Sequence, residues 1–247
     1  MVYIVGAGPG DTELITVKGL KRVESADVII YAGSLVNPEI LKYAKKDCEI
    51  HNSAYMNLEE VIDVIKKGHS EGKDIVRLHT GDPSIYGAVR EQMDILKENN
   101  IPFENIPGVS SFCGAASALQ AEYTLPSVSQ TVILTRMEGR TAVPEKESIE
   151  SLSKHNATMI IFLSVGMISE LSKKLMEGYS KDTPAAVVYK ATWEDEKIVR
   201  GTLADIAEKT EKAGIKKTAL VIVGDCLGND YELSKLYDKN FKTEFRG

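Results

Sequence analysis

The residues best suited to chemistry lie in one short turn, Thr80-Gly81-Asp82-Pro83. The turn follows an apolar run at residues 75–78 that is typical of a buried strand. Gly81 permits a positive φ, and Pro83 fixes its own φ and lacks an N–H, so neither a strand nor a helix continues through the turn. Such a unit places bare backbone and the Asp82 carboxylate at the carboxyl edge of a sheet, where open α/β sheets bind ligands. An ordinary strand-to-helix connection would have the same pattern.

A second glycine-rich turn, Gly6-Ala7-Gly8-Pro9-Gly10-Asp11, follows the first apolar run of the chain. A dinucleotide-binding fingerprint would need a third glycine where Asp11 stands, and Pro9 would stiffen the loop. The residues therefore favour a close approach of backbone to some ligand over a specific nicotinamide site.

The first half of the chain alternates strand and helix patterns, which predicts a mostly parallel sheet covered on both faces. Thr16 and the Asn57–Glu60 pair are typical helix N-cap signals. The strands are expected over residues 2–5, 27–31, 75–78 and 103–106, and the helices over residues 16–25, 58–71, 85–99 and 112–119.

The second half predicts another α/β unit with a mixed sheet. Two of its strands, separated by a polar Glu194-Asp195-Glu196 turn, are expected to form a hairpin. The domains are expected over residues 1–121 and 131–247, with a linker over residues 122–130. The strands are expected over residues 132–134, 158–163, 185–189, 198–201 and 219–223, and the helices over residues 146–154, 167–177 and 203–212.

Composition argues against several classes of protein. The net charge of −6 gives no support to nucleic-acid binding, and no apolar stretch reaches the ~18 residues of a membrane span. The cysteines and histidines lack metal-ligand spacing, so no metal site is expected, and the unpaired cysteine pattern predicts a reducing cytoplasm. These residues are Cys48, Cys113, Cys226, His51, His69, His79 and His155.

Several segments together resemble the tetrapyrrole methylase family, whose members methylate macrocycle carbons with S-adenosylmethionine (SAM). The segments are VGAGPGDTELIT, ADVIIYAGSLV, RLHTGDPSIYG, PGVSSF, TMIIFLS and VVYKATW, and they extend over nearly the whole chain. Ala32-Gly33 and Thr80-Gly81 stand where the uroporphyrinogen branch has an Asp and a Gly-Gly-Asp-Pro turn. Together with TRMEGRTAVPE, they resemble the branch that methylates a precorrin in cobalamin synthesis.

The resemblance implies an α/β fold of two α/β domains, with the SAM site in the cleft between them and S-adenosylhomocysteine as product. It gives no catalytic residue. By the family's motifs, the positions expected to bind the cofactor are Pro9, Thr80, Gly81, Asp82, Ile85, Ser110, Ser111, Leu163, Ala191 and Ala219, with Thr218 less certain.

The residue types suit those positions. Gly81 and Ala191 leave room for adenosine and sulfur beside the backbone. Ser110 and Ser111 begin a helix, where hydroxyl and N–H groups hold oxygen ligands, although Ser110 would equally serve as a plain cap. Leu163 would supply an apolar wall for adenine.

The implied substrate is a tetrapyrrole that carries acetate and propionate groups. Arginine pairs bidentately with carboxylates, so Arg136 or Arg140 is expected to bind one of them, with Tyr86 also at the substrate. Pairing of these arginines with Glu138 or Glu145 is the alternative. A homodimer is a further implication of the resemblance.

The sequence is also compatible with other functions. They are methylation of another tetrapyrrole position or of a protein, a nicotinamide-dependent oxidoreductase that uses the Gly6–Gly10 loop, and a SAM-binding protein without turnover. Titration with NAD against SAM distinguishes the oxidoreductase from the others.

Overall fold

A computed structural model of the protein describes residues 1–234, 241–242 and 244. Spatial contacts group the chain into two compact units. The first contains Met1–Gly114 and Lys190–Asp195, and the second contains Ala115–Tyr189 and the described residues from Glu196 onward. The expected linker, residues 122–130, falls in the second unit. The last part of the expected second domain, at residues 235–240, 243 and 245–247, lies outside the described residues.

The first unit is built on a five-stranded, fully parallel sheet with the strand order β3-β2-β4-β1-β5. Four of these strands confirm the sequence prediction, whereas the polar edge strand β3 had not been predicted. The strands are β1 (Val2–Gly6), β2 (Val28–Tyr31), β3 (Glu49–Asn52), β4 (Ile75–His79) and β5 (Phe103–Ile106). The helices are α1 (Val17–Ser25), α2 (Leu58–Ser70), α3 (Arg90–Glu98) and α4 (Ser111–Leu119), the last of which begins at the end of this unit.

Both faces of this sheet are covered, as predicted. On one face Val5, Ile29 and Leu78 are buried with Val23 of α1. On the other, the core contains Ile30 and Ile75 together with residues of α2 and α3. Because hydrophobic cores fix both faces, the sheet is a rigid support for the loops at its carboxyl edge.

Two predicted caps are present, but one predicted helix begins later than expected. Thr16 accepts a hydrogen bond from the Gly19 N–H at 3.1 Å, and Asn57 forms a reciprocal capping box with Glu60. The segment after the Thr80-Gly81-Asp82-Pro83 turn is not helical until Arg90, where α3 begins. Its Tyr86 and Ala88 have φ values of 53° and 46°, which an α-helix cannot contain.

The second unit contains a mixed five-stranded sheet with the order β6-β7-β10-β8-β9. Strands β6 and β7 are parallel and the other neighbours are antiparallel, which confirms both the mixed sheet and the β8–β9 hairpin. The strands are β6 (Val132–Arg136), β7 (Thr158–Phe162), β8 (Pro184–Tyr189), β9 (Lys197–Thr202) and β10 (Ala219–Val223). The helices are α5 (Ile149–Ser153), α6 (Ile168–Leu175) and α7 (Ile206–Lys212), each shorter than predicted.

Candidate active site

Two segments meet at the carboxyl edge of the first sheet: the glycine loop, residues 6–11, and the central turn, residues 80–83. The Gly81 N–H donates to the Gly8 carbonyl at 2.8 Å, and the Gly8 N–H donates to the Gly81 carbonyl at 3.3 Å. Nearby, the Ala7 N–H donates to the His79 carbonyl at 2.8 Å. Because β1 and β4 are parallel neighbours, their carboxyl ends bring together two motifs that lie over 70 residues apart.

Asp82 connects the central turn to the third turn, which follows β5. One carboxylate oxygen accepts from the Ser84 N–H at 2.8 Å, and the other accepts from the Gly108 N–H at 2.8 Å. Burial alone would raise the Asp82 pKa, but the hydrogen bonds from Ser84 and Gly108 outweigh that effect and hold the pKa below its usual value. The carboxylate therefore acts as an ionised brace between two loops.

Three glycines allow these loops to pack backbone against backbone. A Cβ at Gly108 would lie 2.1 Å from the Gly81 carbonyl oxygen, and one at Gly6 would lie 2.6 Å from both that oxygen and the Gly108 Cα. Gly81 itself has a φ of 59°, in the left-handed region. The structure thus gives Gly81 a conformational role in addition to the ligand clearance expected from its motif.

A fourth segment of the first unit, between β8 and β9, holds the glycine loop. The Trp193 indole N–H donates to the Pro9 carbonyl at 3.0 Å, and the Asp11 N–H donates to the Thr192 hydroxyl at 3.0 Å. A Cβ at Gly10 would lie 2.0 Å from the indole ring. Ala191, in the same segment, is buried. In the sequence, Trp193 was recognised only as part of the VVYKATW motif. Its contact with the glycine loop gives the side chain a structural function.

The predicted cofactor positions of the first unit therefore lie on four connected loops. Ser110 is buried, Ser111 begins α4, and the Gly81 Cα position faces both, since a Cβ there would be 3.4 Å from the Ser110 Cα and 3.5 Å from the Ser111 N. Tyr86 is 46% exposed on its left-handed backbone. The remaining predicted positions of this unit on these loops are Pro9, Thr80, Asp82, Ile85 and Ala191.

In the second unit, strained backbone marks two of the predicted positions. Leu163 directly follows β7 with a φ of 55°, and its side chain is 67% exposed. Thr218 has a φ of 56° and precedes Ala219, the first residue of β10. Left-handed conformations of β-branched and bulky residues are rare and concentrate at functional sites.

The two predicted substrate arginines have different surroundings. The Arg136 guanidinium donates to the Thr141 and Ala142 carbonyls at 3.1 and 2.7 Å, so it holds the following segment of chain. Arg140 is exposed. None of the hydrogen bonds of Arg136 is to the carboxylate of Glu138 or Glu145, the alternative partners.

Two polar residues of β4 are buried, and the sequence analysis had predicted no functional role for either. Arg77 is 7% and His79 is 4% exposed. Burial, with the Arg77 charge as a smaller cause, lowers the pKa of His79 to about 3, and the nearby Gly87 backbone offsets only a small part of this shift. Its Nε2 has no hydrogen-bond partner in the described part of the chain. The sequence feature that could have identified both is a basic residue within or directly after an apolar run.

His79 should make the folded state sensitive to acid. An unfolded histidine binds a proton below about pH 6.5, but folded His79 stays neutral to about pH 3. Its contribution to stability is therefore complete above pH 6.5 and is lost, at up to about 1.4 kcal/mol per pH unit, as the pH falls towards 3. The free energy of unfolding in urea should be measured at pH 7 and at pH 4. Between these pH values it should fall by about 3 kcal/mol less for His79→Gln than for the wild type.

The matched control is His155→Gln, at an exposed position. It should follow the wild-type dependence of unfolding free energy on pH. Equal pH dependence in all three proteins would contradict the assignment of the acid sensitivity to His79.

Among the described residues, no helix is both long and apolar enough to cross a membrane. Within the same part of the chain, no group of three or more His, Cys, Asp or Glu side chains is arranged to hold a metal ion.

Comparison with known proteins identifies the family of the chain. The family model for tetrapyrrole (corrin/porphyrin) methylases matches residues 1–207. The chain belongs to this family, which confirms the resemblance and the two-domain α/β fold drawn from the motifs.

Individual relatives give a more specific comparison than the family model does. The chain is 64% identical to the cobalt-precorrin-4 C(11)-methyltransferase of Methanocaldococcus jannaschii, over 99% of this chain and 95% of the relative. Its structure superposes with a TM-score of 0.90 on the X-ray structure of cobalt precorrin-4 methyltransferase CbiF, with 48% identity over 92% of this chain and 96% of that one. A uroporphyrin-III C-methyltransferase from Thermus thermophilus complexed with S-adenosyl homocysteine gives a TM-score of 0.77, with 25% identity over 92% and 93% of the two chains.

Proposed function

We propose that this protein transfers a methyl group from SAM to C-11 of cobalt-precorrin-4 in cobalamin biosynthesis. The observation that carries the proposal is the 64% identity, over nearly the full length of both chains, with a relative that bears that name. The departure from the uroporphyrinogen pattern at Ala32-Gly33 and Thr80-Gly81 supports the same branch.

The residues present fit SAM as the cofactor, which supplies an electrophilic methyl group on a sulfonium. In the first unit, the buried Ser110 at the start of a helix suits an oxygen ligand, and the buried Ala191 leaves space beside its backbone. In the second unit, the exposed and strained Leu163 suits an apolar contact. The Thermus relative was solved with the corresponding product, S-adenosyl homocysteine.

The other positions assigned to the cofactor act through the same loops. They are Pro9, Thr80, Gly81, Asp82, Ile85 and Ser111. In the second unit, Ala219 at the start of β10 has the same assignment from its motif. Both oxygens of Asp82 accept hydrogen bonds from Ser84 and Gly108, so we assign it to loop alignment and not to proton abstraction.

The chemistry requires alignment more than acid–base groups. Methyl transfer turns a cationic sulfonium into a neutral thioether, so a strongly anionic contact to sulfur would stabilise the ground state and slow the reaction. Braced loops that position the reactants and exclude water can lower the barrier by up to ~7–11 kcal/mol. The network of Gly8, Gly81, Asp82 and Gly108 supplies such fixed loops in the first unit.

We assign substrate contact to Tyr86 and Arg140, which are exposed. Arg136 has the same assignment from its motif, but its bonds to the Thr141 and Ala142 carbonyls favour an indirect role in shaping that segment. The family resemblance also supports a homodimer, and the cysteine pattern supports a location in the cytoplasm.

Transfer of a labelled methyl group tests the proposal. Purified protein and radiolabelled SAM are incubated anaerobically with cobalt-precorrin-4 and, separately, with uroporphyrinogen III. We expect SAM-dependent labelling of cobalt-precorrin-4 and little labelling of uroporphyrinogen III. Equal or preferred labelling of uroporphyrinogen III would overturn the assigned branch. Tight NAD binding without SAM binding would overturn the class of enzyme.

A further inference from the structure

Arg77 carries a buried positive charge that has no carboxylate partner within the described chain. Its Nε donates to the Gln92 side-chain oxygen at 3.1 Å, and its Nη1 donates to the Ile30 and Leu78 carbonyls at 3.2 and 3.5 Å. All three acceptors are neutral. An arginine pKa lowered by burial to about 10 still leaves the guanidinium charged at neutral pH. A buried charge is costly unless an opposite charge accompanies it, so this guanidinium is suited to receive an anion.

Arg77 also lines a cavity of about 180 Å³ in the first unit. Since a water molecule takes about 30 Å³ of liquid volume, the cavity has room for a short carboxylic acid arm. Met56, Leu58 and Val61 form an apolar wall, which suits the methylene groups of such an arm. Nη2 of Arg77 makes no hydrogen bond in the described structure and is available for an added acceptor.

The charged residues that line the cavity also favour binding of an anion beside Arg77. Glu91 is the one carboxylate among the lining residues, and it is exposed. The Arg77 guanidinium bonds only Gln92, Ile30 and Leu78 in the described structure and makes no ion pair with Glu91, so Glu91 does not neutralise it. Arginine is also the side chain whose planar fork best matches a carboxylate.

The cavity wall is continuous with the central turn. Gly87 and Ala88, which line the cavity, follow Thr80-Gly81-Asp82-Pro83 by a few residues. Gly87 lies beside the buried His79 ring, and Ala88 has a φ of 46°. Strained backbone held by buried partners is typical of segments that shape a ligand site.

We propose that this Arg77 cavity binds the carboxylate of a short aliphatic acid group. The assignment to an acetate or propionate arm of the macrocycle rests on the proposed function, whereas carboxylate binding itself does not. The same chemistry would admit a free small carboxylate.

Titration with sodium propionate tests carboxylate binding without any methyl transfer. Binding of ¹³C-labelled propionate to the full chain is followed by NMR line broadening. Arg77→Met should weaken binding at least about tenfold, the scale of a charge-assisted hydrogen bond. Glu91→Gln should strengthen binding about threefold, because it removes a like charge near the surface. Glu59→Gln removes an exposed charge outside the cavity and should match the wild type.

The pair Glu91→Gln and Glu59→Gln keeps the test decisive if Arg77→Met does not fold, as checked by circular dichroism. Absence of propionate binding to the wild type, or equal binding by Glu91→Gln and Glu59→Gln, would overturn the carboxylate site. Displacement of propionate by cobalt-precorrin-4 would support the macrocycle arm. Simultaneous binding of both would overturn that assignment and identify a site for a free carboxylate.

Discussion

Gly108→Ala should lower the unfolding free energy by about 2–3 kcal/mol and the affinity for SAM by at least about tenfold. The added methyl would lie 2.1 Å from the Gly81 carbonyl oxygen and 2.7 Å from the Gly6 Cα, so backbone must move. That movement would also separate the Gly108 N–H from Asp82 and release the brace between the two loops. Urea unfolding and calorimetric titration with SAM measure the two effects.

Gly72→Ala is the matched control in the same unit. Gly72 has a φ of 73°, but a Cβ there would have no atom within 4 Å. It should cost about 1 kcal/mol of backbone strain and leave SAM affinity unchanged. If Gly108→Ala bound SAM as tightly as Gly72→Ala does, the packed glycines would be irrelevant to the ligand site.

Trp193→Ala should lower the unfolding free energy by about 2–4 kcal/mol and weaken SAM binding, because the indole holds the glycine loop. The side chain packs on Gly10 and bonds the Pro9 carbonyl. Gly10→Ala should also be destabilising, since its methyl would lie 2.0 Å from the indole ring. Trp193→Phe, which keeps an aromatic ring and loses the N–H, should cost about 1 kcal/mol.

A double-mutant cycle isolates this contact. In the Trp193→Ala background the clash at Gly10 disappears, so Gly10→Ala should add little there and the coupling energy should be at least about 1 kcal/mol. Since Trp193 is the sole tryptophan of the chain, its fluorescence reports the contact directly, and Gly10→Ala should shift its emission. Strict additivity of the two substitutions would show that the indole does not determine the loop conformation.

Elements with a local physical cause could be predicted from the sequence. The Thr16 and Asn57 caps depend on side chains that bond backbone a few residues away, and both are present. The buried strands of the two sheets depend on apolar runs. The edge strand β3 has the sequence Glu-Ile-His-Asn, without such a run, so its pairing with β2 could not be predicted from pattern alone.

The start of α3 depends on the conformation of the preceding loop, and the sequence pattern did not predict it. Val89, Met93 and Leu96 have helical spacing, and that pattern extended the predicted helix back through Tyr86. The true start at Arg90 follows two residues with left-handed backbone, Tyr86 and Ala88, and this conformation leaves no periodic signal in the sequence.

The candidate site shows the same division between local and distant causes. Its motifs could be identified from the sequence, and parallel strand order explains why two of them meet. The contact of Trp193 with the glycine loop joins residues 184 positions apart, and the uncompensated charge of Arg77 depends on what surrounds it in three dimensions. No spacing rule in one sequence contains that information.

The position of the new methyl group tests the central claim most directly. Cobalt-precorrin-4 is incubated anaerobically with the protein and SAM labelled with ¹³C at the methyl carbon, and the product is examined by NMR. We predict one labelled methyl, attached to C-11. Label at any other carbon of the macrocycle, or no label in the macrocycle while SAM binds tightly, would contradict the account.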